Sequence, residues 1–184
     1  MSVKQFQRLF DIQYWSQADE KWGSVITSCG NSMRAEGCII TAAAMIFHSY
    51  GDKVDPLIVQ KELRAIKAQT ASGRADCPFD WASASKKYNH KYSGKFTGTF
   101  EKLKKDMMDL VMNKGVPLMA RVPNHTVTIR GFSGLLPVID HWPNFEKITA
   151  DMFLVHDPGN VKNKNLQDVI NQRGEFEYYN YYEN

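Results

Sequence analysis

Three residue types that can act together on a carbonyl are spread along this chain in a suggestive order. Gly37-Cys38 stands directly before an apolar, alanine-rich run, Ile39-Ile40-Thr41-Ala42-Ala43-Ala44-Met45. The run reads as a helix, so the thiol falls at a helix N-terminus. Unpaired N–H groups and the helix dipole favour negative charge there. A free thiol titrates near 8.5, and such surroundings lower it to roughly 3.5–7.5. A thiolate at neutral pH is a nucleophile. Downstream, His125 opens an alternating, strand-like run to Phe132, and Met152 to His156 reads as a strand ending in Asp157 and a Pro158-Gly159 turn. In a cysteine hydrolase the histidine takes the thiol proton and later protonates the leaving group. The aspartate fixes the imidazole's tautomer and orientation.

Each residue also has a plainer reading. Cys38 alone would be a small buried residue, His125 a strand cap, and Asp157 a turn residue before Pro-Gly. His141 and His156 rival His125 as the base. His141 reads as a loop residue. His156 alternates with apolar neighbours and adjoins the acid, which sends it to the opposite face of its strand.

Four segments carry a resemblance. Tyr14-Trp15-Ser16-Gln17-Ala18-Asp19 leads to Trp22-Gly23. Gly37-Cys38 runs through Met45 to Tyr50-Gly51. Gly115-Val116-Pro117 precedes His125 and Gly131-Phe132. Val155-His156-Asp157-Pro158-Gly159 closes the set. Together they resemble the C39-like type of papain-like cysteine peptidases, relatives of the bacteriocin-processing double-glycine peptidases. The resemblance spans residues 14–159. It implies a papain-like fold, with Cys38 as nucleophile, His125 as base, Asp157 as orienter and Gln17 as an oxyanion-hole donor. Ile39-Ile40 stands where many relatives are polar or carry proline, which bears on the pocket wall and substrate preference rather than on the chemistry.

These residues need elements to hold them. The pattern predicts a helix over 38–50, a second from the Asp55 cap and Pro56 to about 69, and a short one over 79–88. A strongly amphipathic one follows over 99–113. Strands are expected near 116–122, 126–132, 136–140 and 151–156, then a helix near 166–172 and an aromatic strand near 175–182. Helices first and strands later read as α+β, a helical half packed on an antiparallel sheet. Residues 1–184 show no repeat and no linker, so one domain is expected. The Tyr-rich end reads as an edge strand, with a contact surface as the alternative. Trp15 and Trp22 read as packing residues. The lysines at 102, 104, 105, 162 and 164 read as solvated faces.

Composition bounds the partners. A net charge of +3, 43% hydrophobic and 23% charged residues are ordinary for a globular protein. No basic stripe suggests nucleic acid, and no apolar run approaches the ~20 residues of a membrane span. Metal-ligand spacing is lacking, so no metal or other cofactor is expected. The N-terminal residues lack an apolar signal core, which suggests a cytoplasmic protein or one delivered to the cell wall from a virion. In a reducing compartment Cys29 and Cys77 are ordinary thiols; a bridge between them is the alternative. Three functions follow: a cysteine peptidase cutting a peptide or protein, an amide hydrolase of peptidoglycan stem peptides, or a silent relative that binds or builds. Specificity is expected in loops 70–79, 89–98 and 133–150.

Overall fold

The computed structural model describes residues 2–70 and 76–184. It is an α+β fold in which helices cover both faces of an antiparallel sheet. The chain opens with strand β1, Ser2–Leu9. A short helix α1, Met33–Glu36, is capped by Ser32. Helix α2, Cys38–Ser49, is buried from Cys38 through Phe47, as a helix apolar on all sides must be. It stops at Gly51, whose φ of 104° suits glycine alone. Helix α3, Pro56–Ala65, begins with Asp55 accepting from the Ile58 N–H and proline in its first turn. It ends at Ala65, short of the expected 69, and Lys67 then takes a left-handed φ of 60°.

Helix α4 is Trp81–Tyr88. Strands β2 (Lys91–Tyr92) and β3 (Phe96–Thr97) follow. Helix α5, Phe100–Asp109, is capped by Thr99 and runs into a π-helical turn, Leu110–Lys114, which Gly115 ends at φ 69°. Strand β4 is Leu118–Val122, and β5 is a 15-residue strand, His125–Ile139. A hairpin joins β5 to β6, Trp142–Pro143, and β7 is Phe153–His156. Helix α6, Leu166–Arg173, starts with a reciprocal Asn165–Asp168 capping box. Strands β8 (Tyr178–Asn180) and β9 (Tyr182–Glu183) close the chain.

The main sheet runs β1-β5-β4-β8-β3, with β6 and β7 also paired to β5; β2 and β9 form a separate pair. All pairings are antiparallel. Alternation along β4 sends Leu118, Ala120 and Val122 into the core shared with α5 and α6, and Met119 into the core shared with α2. Arg121, of the same parity as Met119, therefore belongs to the α2 face.

Several expectations shift. The strands expected at 126–132 and 136–140 are one strand, because β1 pairs with it continuously from Gly131 to Val138. That β1 strand carries no clear pattern of its own, since nearly all its side chains are exposed. The Tyr-rich end is not an edge: β8 lies between β4 and β3, and Tyr179 and Tyr182 are buried. Lys104 is not on a solvated face either. Its ammonium is held by Glu101 at 2.6 Å and by the carbonyls of Glu146 and Ile148 at 2.9 and 3.1 Å. No helix of the described residues is long and apolar enough to cross a membrane.

Cys29 and Cys77 are not ordinary thiols but a disulfide, with Cα atoms 6.0 Å apart. It closes a span of 48 residues that contains α2 and α3. Cys38 remains the free cysteine. Cross-links over such loops typically contribute about 2–4 kcal/mol. The double variant Cys29→Ser/Cys77→Ser should lower unfolding free energy by roughly that amount in chemical denaturation. An unchanged midpoint would mean that the bridge adds nothing to the folded chain.

Candidate active site

Cys38 is the first residue of α2, and no side chain caps that helix start. Gly37 is required before it: a Cβ there would lie 2.6 Å from the Met33 carbonyl oxygen. Glu36, buried just upstream, accepts from the Thr27 hydroxyl and from Asn31 Nδ2. The chain entering α2 is thus fixed by polar contacts as well as by packing.

The other side of the site comes from one hairpin and its neighbour. Pro123-Asn124 is a two-residue turn between β4 and β5, with Asn124 in the left-handed region at φ 58°. Val122 pairs with His125, so the turn pins His125 as the first residue of β5. Strand β7 pairs with β5 through Thr128↔His156. Carrying that register onward sets Gly159 beside His125 and brings Asp157 to the same end of the sheet. Helix α2 lies across β5, with the Thr128 hydroxyl donating to the Ala42 carbonyl at 3.5 Å.

These elements converge on a chain of buried polar groups. His125 Nε2 donates to Asp157 Oδ1 at 2.6 Å. The imidazole meets the Cys38 thiol in the cleft that both line, and each group acts on the other's charge. With Nε2 engaged by Asp157, Nδ1 is the nitrogen left for sulfur. Cys38 and His125 are 2% exposed and Asp157 is wholly buried. Burial alone would raise the thiol's pKa; the His125 hydrogen bond and charge, the Arg121 charge and the Thr126 N–H together lower it below the usual thiol value. Burial would lower His125, but the hydrogen bonds to Asp157 and Cys38 prevail and raise it to about 9. Burial likewise opposes the Asp157 charge, and its donors win, holding the carboxyl below the usual carboxylate range. Both shifts favour a thiolate and an imidazolium over the neutral pair.

The Asp157 carboxylate accepts four bonds. Besides His125 these are the N–H groups of Gly159 and Asn160 at 2.8 and 3.2 Å, and Asn163 Nδ2 at 2.7 Å. Asn163 is itself held by Gln172 Oε1 of α6 at 2.7 Å.

The N-terminal aromatic segment is laced to the same turn. Gln17 N–H donates to the Pro158 carbonyl at 2.9 Å, and the Tyr14 hydroxyl to the Asp157 carbonyl at 3.0 Å. Trp22 Nε1 donates to the Ser16 carbonyl at 2.8 Å, so this packing tryptophan also shapes the turn before Gln17. The Gln17 side chain is buried and lines a cleft of about 270 Å³ together with Cys38 and His125. Its Nε2 gives one N–H to the Arg34 carbonyl at 2.8 Å. An amide nitrogen has two, so one remains.

The rival histidines lie elsewhere. His156 Nε2 donates to the Ile12 carbonyl at 2.8 Å, and burial lowers its pKa. His141 sits at the β5–β6 turn at φ 71°. Among the described residues no group of three or more His, Cys, Asp or Glu could hold a metal ion. Ile39 and Ile40 are buried in the core and do not line the cleft. Nor do residues 89–98 or 133–150, expected to shape specificity; of 70–79, residues 71–75 lie outside the described chain. Arg121 and Asn163 escaped the sequence reading, because only strand parity and the Asp157 turn reveal what they face.

Residues 9–184 match the model of the Peptidase_C39 like family. No curated protein and no solved structure matches the chain.

Gly159 offers a test of the site's tightness. A Cβ there would lie 2.9 Å from His125 Cε1. Gly159→Ala should push the imidazole and slow Cys38 alkylation by iodoacetamide at neutral pH, roughly 10–100-fold, as small misplacements of reacting groups do. An unchanged rate in a folded variant would show that the imidazole does not govern the sulfur.

Proposed function

The chain belongs to the peptidase C39-like family, and from that premise we propose that it is an active cysteine peptidase using Cys38, His125, Asp157 and Gln17. The observation that carries this reading is the buried Asp157–His125–Cys38 chain opening on the cleft that Gln17 lines. Packing alone has no use for a buried carboxylate and imidazole aligned on a thiol, since the polar pair costs desolvation.

In this mechanism the Cys38 thiolate attacks the scissile carbonyl carbon. The free Gln17 N–H and the Cys38 main-chain N–H at the uncapped helix start stabilise the oxyanion; one such donor is typically worth ~2.7–4 kcal/mol in the transition state. His125 gives its Nδ1 proton to the departing amine, leaving an acyl-enzyme thioester. It then takes a proton from the water that hydrolyses that thioester. Asp157 keeps Nε2 protonated and the ring in plane throughout. Arg121 and the Thr126 N–H help His125 to lower the Cys38 pKa.

The pH dependence follows with a definite sign. Activity rises as Cys38 loses its proton, below the usual thiol value, and falls as His125 loses its own near pH 9. The kcat/KM profile on a peptide substrate should be a bell with its alkaline limb there. A rise with a midpoint near 8.5, as for an unperturbed thiol, would contradict the ion pair.

Two variants separate the supporting roles. Asp157→Asn should favour the wrong imidazole tautomer and lower both turnover and Cys38 alkylation. Gln17→Ala should lower kcat by roughly 10²–10³ while alkylation stays nearly unchanged, because alkylation develops no oxyanion. Full kcat in Gln17→Ala would remove Gln17 from the mechanism. Loss of alkylation in His156→Ala or His141→Ala, but not in His125→Ala, would move the base elsewhere.

A further inference from the structure

Two cations in the cleft have no part in that mechanism. Arg34 of α1 lines it on the side of Gln17, and Arg173, the last residue of α6, on the side of His125 and Gly159. Arg173 Nη2 stands 3.0 Å from where a Cβ on Gly159 would be, beside the imidazole. Neither guanidinium has a carboxylate partner among the described residues. Arg34 reaches only the Ala18 carbonyl, at 3.5 Å. Arg173 Nε is buried with no hydrogen-bond partner.

Among the described residues the cleft has no carboxylate of its own to neutralise them. Its lining contains no aspartate or glutamate, and Asp157 is buried with its oxygens committed to His125, Gly159, Asn160 and Asn163. The C-terminal end of α6 favours a cation, which accounts for charge at that position. It does not account for a guanidinium lying over Gly159 with an unsatisfied donor. Arginine's fork of N–H groups matches a carboxylate bidentately. The cleft's volume of about 270 Å³ is small, so a carboxylate held there sits within a residue or two of the sulfur.

We propose that Arg34 and Arg173 bind a carboxylate of the substrate beside the scissile bond, so that this site selects peptides that carry a carboxylate there. The inference rests on the reading of Cys38 as nucleophile. The carboxylate has two possible sources, an Asp or Glu side chain or a free peptide C-terminus.

The test compares Cys38 alkylation by iodoacetate and by iodoacetamide, which differ in charge but not in leaving group. The iodoacetate-to-iodoacetamide rate ratio should fall roughly five-fold in Arg34→Gln and in Arg173→Gln through the anionic reagent alone, as expected for loss of a nearby opposite charge. Arg173→Lys should keep most of the ratio, and added salt should shrink the difference. Protection from iodoacetamide then identifies the source. Acetyl-Ala-Glu-amide offers only a side-chain carboxylate, acetyl-Ala-Gln only a terminal one, and acetyl-Ala-Gln-amide neither. One anionic peptide should protect better than the neutral one in the wild type and lose that advantage in the glutamine variants. An unchanged ratio in both variants, equal loss of both rates, or a neutral peptide as protective as both anionic ones would overturn the proposal. Slow wild-type reaction with both reagents would contradict the nucleophile reading itself and take the proposal with it.

Discussion

The hydrogen bond from His125 Nε2 to Asp157 Oδ1 is the interaction on which the rest of this molecule's site depends. Asp157 is wholly buried, and a buried carboxylate is tolerable only when its lone pairs are filled and its charge is met. That requirement recruits four separate pieces of chain. The β4–β5 hairpin supplies the imidazole, the Pro158 turn supplies two main-chain N–H groups, Asn163 supplies an amide, and Gln172 of α6 holds that amide in place. A half-satisfied network would cost more than an apolar core of the same shape. The completeness of this one is what keeps the turn, the hairpin and α6 in a single arrangement.

The same turn couples the sheet to the helical side. The carbonyls of Asp157 and Pro158 accept from Tyr14 and Gln17, so the segment bearing Gln17 is tied to the acid rather than only to α2. Gln17 in turn donates to the Arg34 carbonyl just ahead of the helix. Movement of any one of these pieces must be shared by the others. Glycine serves the closeness at two points, Gly37 against Met33 and Gly159 against His125. Rigidity of this kind suits a centre whose electrostatics are preorganised before substrate arrives.

Much of this was legible in the sequence, and the reasons for the gaps are physical. Cys38 announces itself by a glycine and an Ala-rich run, which are local signals, and Asp157 by a Pro-Gly turn. The helices carry caps that can be read directly, such as Asp55-Pro56 and Thr99. What escaped depends on pairing across distance. β1 has no buried face to write a pattern into its sequence. The aromatic C-terminal residues look like an edge until β4 and β3 are known to flank β8. Lys104 reads as a surface charge, and Arg121 gives no signal of its own, because burial of a cation is decided by its partners. Asn163, Arg34 and Arg173 sit in polar stretches with no periodicity, and only the folded turn reveals what they face. The Cys29–Cys77 bridge depends on a separation that the intervening helices set, not on spacing.

The charge state of His125 decides the account most directly. Its ring should remain doubly protonated through neutral pH and titrate near 9, because Asp157 and the Cys38 sulfur both favour the cation. Nuclear magnetic resonance titration of the ring protons and nitrogens, assigned with the His125→Ala variant, measures this without any substrate. A titration near 9 that moves downward in Cys38→Ala is the predicted result. A ring that is neutral at pH 7 and titrates at or below the ordinary histidine value of about 6.5 would contradict the thiolate–imidazolium pair on which the whole site has been read.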